Sequence, residues 1–71
     1  MFYFFRRDEE YMRCEIRGAM DSLDAYELVI VEPSGDERIE RYTSSTAVHT
    51  RWLQVQQSFV HDGWWGPLGV D

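Results

Sequence analysis

Lysine is absent from this 71-residue chain, and cysteine occurs once, at Cys14. A single cysteine excludes an internal disulfide, so the scaffold of a small secreted, disulfide-stapled protein is ruled out. A reducing, cytoplasmic setting is the natural expectation. No window approaches the roughly 20 apolar residues that a membrane span needs. The opening "MFYFFRR" is not read as a signal peptide, because its apolar run is short and its arginines follow that run instead of preceding it. There is no repeat, linker or low-complexity segment. No G-x-S-x-G, glycine-rich phosphate loop or H-E-x-x-H motif occurs.

Metal ligands are equally sparse. His49 and His61, read on one helix, stand about 18 Å apart along its axis and about 120° around it, too far to share an ion. Cys14 with scattered histidines does not make a zinc set. Asp21 and Asp24, in a loop, fall short of a calcium cage. The acids Asp8 to Glu10 and the pair Asp36 and Glu37 fall at turns, where water keeps a carboxyl from the raised pKa of a general acid. No catalytic residue, metal site or cofactor is assigned, and the chain is not expected to be an enzyme.

What is present is apolar and aromatic: 44% of residues are hydrophobic and 15% aromatic. Seventy-one residues allow one domain, residues 1–71. A chain this short hides only about 60% of its unfolded surface. The formal net charge is −6. Residues 1–42 hold six arginines against eleven acids, so most of the imbalance sits there. An acidic balance favours solubility and disfavours non-specific attraction to nucleic acid or anionic lipid. Every basic residue is arginine, which suits pairing with carboxylates.

Four strand-like runs come first. "FYFFRR" (2–7) is aromatic-rich, and "RDEE" (7–10) is a polar turn. "YMRCEIR" (11–17) alternates, with Met12, Cys14 and Ile16 on one face and Tyr11, Arg13, Glu15 and Arg17 on the other. "GAMDSLDA" (18–25) is a loop. "YELVIVE" (26–32) has a continuous apolar centre, as expected of a strand covered on both faces. "EPSGD" (32–36) is a turn in which Pro33 presets φ and Gly35 supplies φ > 0. "ERIERY" (37–42) reads as a charge-blunted edge strand with one strongly apolar position, Ile39.

One helix follows. "TSST" (43–46) offers N-cap hydroxyls. Val48, Trp52, Val55 and Phe59 then recur at helical spacing, with Leu53 and Val60 widening the stripe. Gly63 is the left-handed residue that stops the helix, which places Trp64 where its side chain folds back beside Phe59. Trp65 must point elsewhere, and Gly66 and Pro67 prevent any continuation of the helix.

These readings converge on an α+β domain: a four-stranded antiparallel meander (ββββ) followed by one C-terminal amphipathic helix packed on one face. The expected core is Met12, Cys14, Ile16, Ile39, Val48, Trp52, Val55, Phe59 and Trp64. One helix covers one face only. The other face is expected to present Tyr3, Phe5, Tyr11, Arg13, Val29, Val31, Tyr42 and Trp65, rimmed by Glu15, Arg38 and Glu40. Which face strands one and three turn to the helix is left open by their two-sided composition. Such an apolar face points to a non-catalytic interaction module, self-associating as a homodimer through this face or through the C-terminal tail. The competing expectation is that residues 64–70 fold over this face and cover it with Trp65 and Leu68.

Four antiparallel strands and one helix is also the order of the single-stranded-DNA-binding transcription-coactivator and Whirly-type domains, which this chain resembles in topology. That resemblance implies a face carrying Tyr11, Arg13, Arg17 and Tyr42 that stacks bases and meets phosphates. The acidic balance, with Glu15 and Glu40 on the same side, opposes nucleic acid as a partner. A third reading is a small-molecule pocket between helix and sheet, lined by Trp52 and Trp64.

Overall fold

A computed structural model describes residues 2–18 and 25–70. The loop carrying Asp21 and Asp24 lies outside them. The chain forms β1 (Phe2–Arg7), β2 (Glu10–Gly18), β3 (Tyr26–Val31), β4 (Glu37–Tyr42), α1 (Ser45–His61) and β5 (Trp65–Val70). The architecture is α+β, an antiparallel sheet with a helix packed on it. The four-strand expectation is corrected: the sheet has five strands in the order β4-β3-β2-β1-β5, and the fifth follows the helix.

Turn chemistry sets the registers. Asp8 and Glu9 alone join β1 to β2, so Arg7 pairs with Glu10 and Phe5 with Met12. Asp8 takes φ 55°, a conformation more accessible to Asp than to most residues. Between β3 and β4 the Gly35 amide donates to the Glu32 carbonyl and the Glu32 amide to the Asp36 carbonyl, both at 2.8 Å. Gly35 sits at φ 93° and Pro33 occupies the second turn position, a type I turn closed by a glycine bulge. That five-residue connection pairs Val31 with Glu37 and Val29 with Ile39.

The helix begins at Ser44, whose hydroxyl accepts the Ala47 amide at 3.1 Å. It ends in a Schellman turn. The Trp64 amide donates to the Phe59 carbonyl at 2.9 Å and the Gly63 amide to the Val60 carbonyl at 3.1 Å, with Gly63 at φ 90°. That turn sends the chain back along β1 as β5. Gly66 lies so close to β1 that a Cβ there would meet the Phe4 carbonyl oxygen at 2.8 Å. Proline is tolerated in β5 because β5 is an edge strand.

The core lies between α1 and one sheet face. Phe5, Met12, Cys14, Leu28 and Ile30 from the sheet meet Val48, Trp52, Val55 and Phe59 from the helix, with Trp64 closing one end. Tyr3, Ile16, Tyr26 and Tyr42 are partly buried against it. Phe5 is the hinge of the packing, with its ring 5.1 Å from Phe59 and 6.1 Å from Trp52, both edge-on. Leu53 and Val60, expected to widen the buried stripe, are exposed on the helix instead. No helix among the described residues is long and apolar enough to cross a membrane.

Candidate interaction face

Registers place the residues of the helix-free face. Cross-strand partners share a face, so Phe2, Glu15, Val29 and Ile39 form one row across β1 to β4. Leu68, Phe4, Arg13, Val31 and Glu37 form the next. Trp65, Arg6 and Tyr11 make a third, and Arg17, Glu27 and Arg41 the opposite margin. Val29, Val31 and Ile39 make one apolar patch over β3 and β4, and Phe2, Phe4 and Leu68 another over β1 and β5, with Arg13 and Glu15 of the central strand β2 between them. Val29 is buried by its neighbours on this face, while Ile39 stays 43% exposed and Trp65 69%. Phe2, Tyr11 and Leu68 are exposed as well. The C-terminal segment does not fold over this surface. It lies beside β1 in the sheet and adds Leu68 and Trp65 to the face.

Several expected positions are corrected. Tyr3, Phe5 and Tyr42, expected on the open face, turn toward the helix. The two-residue β1–β2 turn pairs Tyr3 with Cys14 and Phe5 with Met12, which fixes strand one to the buried face of strand two. Ile39, expected in the core, lies on the open face because the β3–β4 turn pairs it with Val29. The same parity moves Arg38 and Glu40 from the expected rim to the helix side. Tyr11, Arg13, Val29, Val31 and Trp65 occupy the open face.

Charges on the open face are mixed. Four arginines (Arg6, Arg13, Arg17, Arg41) stand against three glutamates (Glu15, Glu27, Glu37), whereas the whole chain carries −6. The acid surplus therefore lies elsewhere. Glu27 is bound from both sides: Arg41 Nε donates to Oε2 at 2.8 Å and Arg17 Nε to Oε1 at 3.0 Å. It is screened from water by neighbouring side chains on a surface, not sunk in the core. The Arg41 hydrogen bond, then that from Arg17, holds its carboxyl below the ordinary glutamate range.

A second ion pair ties helix to sheet on the other side. Arg51 reaches both oxygens of Glu40, at 2.8 and 3.2 Å, and the Tyr42 hydroxyl donates to Glu40 at 2.6 Å. Arg51 holds the Glu40 carboxyl below its usual range, and burial, then Glu40, pushes the Tyr42 hydroxyl up. Cys14 is fully buried, and desolvation pushes its thiol up to about 12. Among the described residues no group of three His, Cys, Asp or Glu side chains is placed to hold a metal ion.

The single pocket expected between Trp52 and Trp64 does not form, because each lines a separate hollow. Trp64 borders an open groove of about 530 Å³ with Met12, Phe59, Arg38 and Arg7. Arg7 is already engaged there, stacked 4.5 Å above the Trp64 ring and donating to the Asp62 carbonyl at 3.2 Å. Trp52 borders a smaller hollow near the start of α1. Comparison of the chain with known protein families, curated proteins and solved structures yields no match.

Proposed function

We propose that this chain is a small, non-catalytic, cytoplasmic interaction module that pairs with a second copy of itself through the open sheet face. The observation that carries this reading is a pair of apolar patches, Val29 with Ile39 and Phe2 with Leu68, on either side of Arg13 and Glu15, which neither the helix nor the C-terminal segment covers. Exposed apolar side chains interleaved with charges of both signs suit a weak, self-complementary contact. Five strands spaced about 4.8 Å, each rising about 3.3 Å per residue over six residues, project roughly 480 Å² per copy before side-chain relief is added. Two copies then bury about 1,000 Å², the size of a weak or transient contact. A two-fold axis sets Arg13 of one copy against Glu15 or Glu37 of the other, so the mixed charges are self-complementary.

The non-catalytic part rests on three observations. The lone thiol is buried with its pKa raised. The carboxyls whose pKa is displaced, Glu27 and Glu40, are displaced downward, the wrong direction for a general acid. No metal cluster stands among the described residues. One alternative has its own observation: Trp65, Arg6 and Tyr11 stand in register, an aromatic and arginine band of the kind that stacks single-stranded bases. The acidic surplus of the chain opposes it.

Sedimentation equilibrium from 1 to 100 μM, with and without a single-stranded oligonucleotide at about 150 mM salt, tests both. The expected result is concentration-dependent assembly from 8.5 kDa toward twice that mass, abolished by Ile39→Lys and indifferent to the oligonucleotide. A monomer at 100 μM contradicts the reading. Micromolar oligonucleotide binding that weakens steeply with salt replaces it with the nucleic-acid alternative.

A further inference from the structure

The core packs unevenly along α1. At its C-terminal end, Phe5, Phe59 and Trp64 fill the space between helix and sheet with rings. At its N-terminal end the helix presents only Ser45, Val48 and His49 before Trp52, and the sheet opposite offers Tyr3, Ile16 and Tyr26. Tyr26 pairs across the sheet with Gly18, which has no side chain to flank it. Small helix residues facing large sheet residues leave a hollow of about 240 Å³, more enclosed than the hollows bordered by Trp64, by Thr46 and by Pro67.

Its lining decides what fits. Tyr3 and Trp52 pack together at 4.9 Å, tilted by 33°, and form one wall. Tyr26 supplies a third ring, and Ile16 and Val48 supply aliphatic surface. Among the described residues no carboxylate and no guanidinium lines the hollow, and Ser45 and His49 are its polar members. The ion pair between α1 and β4, Arg51 with Glu40, is satisfied internally. A charged ligand would lose its hydration here without a counter-charge. A flat, uncharged ring gains apolar burial and offset contacts with the aromatic wall. An apolar cavity of about 150 Å³ accommodates benzene, and drug-sized ligands occupy about 300 Å³ or more, so this volume suits one or two fused rings.

We infer that the hollow bordered by Tyr3, Tyr26, Val48 and Trp52 is a binding site for a neutral, planar aromatic molecule of about the size of indole. It lies on the face opposite the proposed dimer contact and does not depend on that contact. The hollow is open on one side and a ligand of fewer than about a dozen heavy atoms makes few contacts, so the expected dissociation constant is about 0.1–1 mM, far from the ceiling for so small a molecule.

Indole itself is the probe, titrated into isotope-labelled protein and followed by NMR. The expected result is a saturable change confined to the signals of Ile16, Tyr26, Val48 and Trp52. Val48→Phe, which fills the hollow, is expected to weaken binding at least tenfold. Ser45→Phe plugs the rim at an exposed position and serves where Val48→Phe fails to fold. Indole sulfonate, of similar shape but charged, is expected to bind at least tenfold more weakly. Overturning results are the absence of saturation up to 5 mM indole, changes centred on Phe2, Ile39 and Leu68, or binding unaltered by a plugging substitution in a folded variant.

Discussion

Trp64 and Trp65 are neighbours in sequence with opposite fates. The Schellman turn at Gly63 carries Trp64 into the core, where Arg7 caps its ring, and strand geometry then turns Trp65 to the opposite face. Truncating a buried aromatic costs about 3–5 kcal/mol. Trp64→Ala is therefore expected to lower the urea midpoint sharply, whereas Trp65→Ala changes monomer stability by less than about 1 kcal/mol; urea denaturation at low protein concentration checks both. Cys14 allows a second prediction. With its thiol pushed up to about 12 and no exposed surface, it is expected to ignore Ellman's reagent at pH 8 in the native state and to react fully once urea unfolds the chain. A pH titration reads Glu27. Its folded pKa lies below its unfolded one, so its contribution is complete above the ordinary glutamate range and disappears as pH falls through the depressed folded value. Glu27→Gln is expected to lower stability at pH 7 and to flatten the decline on the acid side. An unchanged acid limb of the stability profile removes Glu27 from that role.

At the scale of elements, much of the fold is legible because turns are short and chemically specific. The Pro33–Gly35 turn, the N-cap hydroxyl of Ser44 and the stop at Gly63 are each visible as residue types with a conformational reason. The faces of strands one and four were equally written in the turns, through their lengths. Two residues between β1 and β2 force Phe5 opposite Met12, and five between β3 and β4 force Ile39 opposite Val29, so Ile39 and Val29 share a face. Composition alone hid this, since Phe2 to Phe5 are aromatic on both sides and β4 has one aliphatic residue. The strand β5 was hidden for another reason. Gly66, Pro67 and Gly69 read as a breaker cluster, and an edge strand is where Gly and Pro are tolerated. The chain after Pro67 still alternates through Leu68 and Val70, a faint signal. The open face was foreseeable as a surface and in the membership of Tyr11, Arg13, Val29, Val31 and Trp65, but not in that of strand one, whose Phe2 and Phe4 take the place of Tyr3 and Phe5. Between elements, the Arg51–Glu40 pair fastens α1 to β4, an edge strand with little apolar surface to offer. Arg51→Ala is expected to cost about 1 kcal/mol, and its signature is amide exchange in β4 that is faster than in the unsubstituted protein while β2 is unchanged.

On the scale of the whole molecule, one helix cannot cover both faces of a five-stranded sheet. The sequence answers that problem on one side with a ring-rich core and on the other with apolar residues set among arginines and glutamates. The acid surplus lies off the open face, so repulsion between copies is least where the apolar surface is greatest. Stability is therefore expected to rise with protein concentration, by mass action on the paired state, and this dependence should vanish in Ile39→Lys. The most direct measurement is an isotope-filtered NOE experiment on a mixture of labelled and unlabelled protein at about 0.5 mM. The account predicts intermolecular contacts from the Ile39 and Leu68 methyl groups to the Phe2 and Phe4 rings of the second copy. A spectrum with no intermolecular contacts, or with contacts from Leu53 and Val60 on the helix alone, contradicts it.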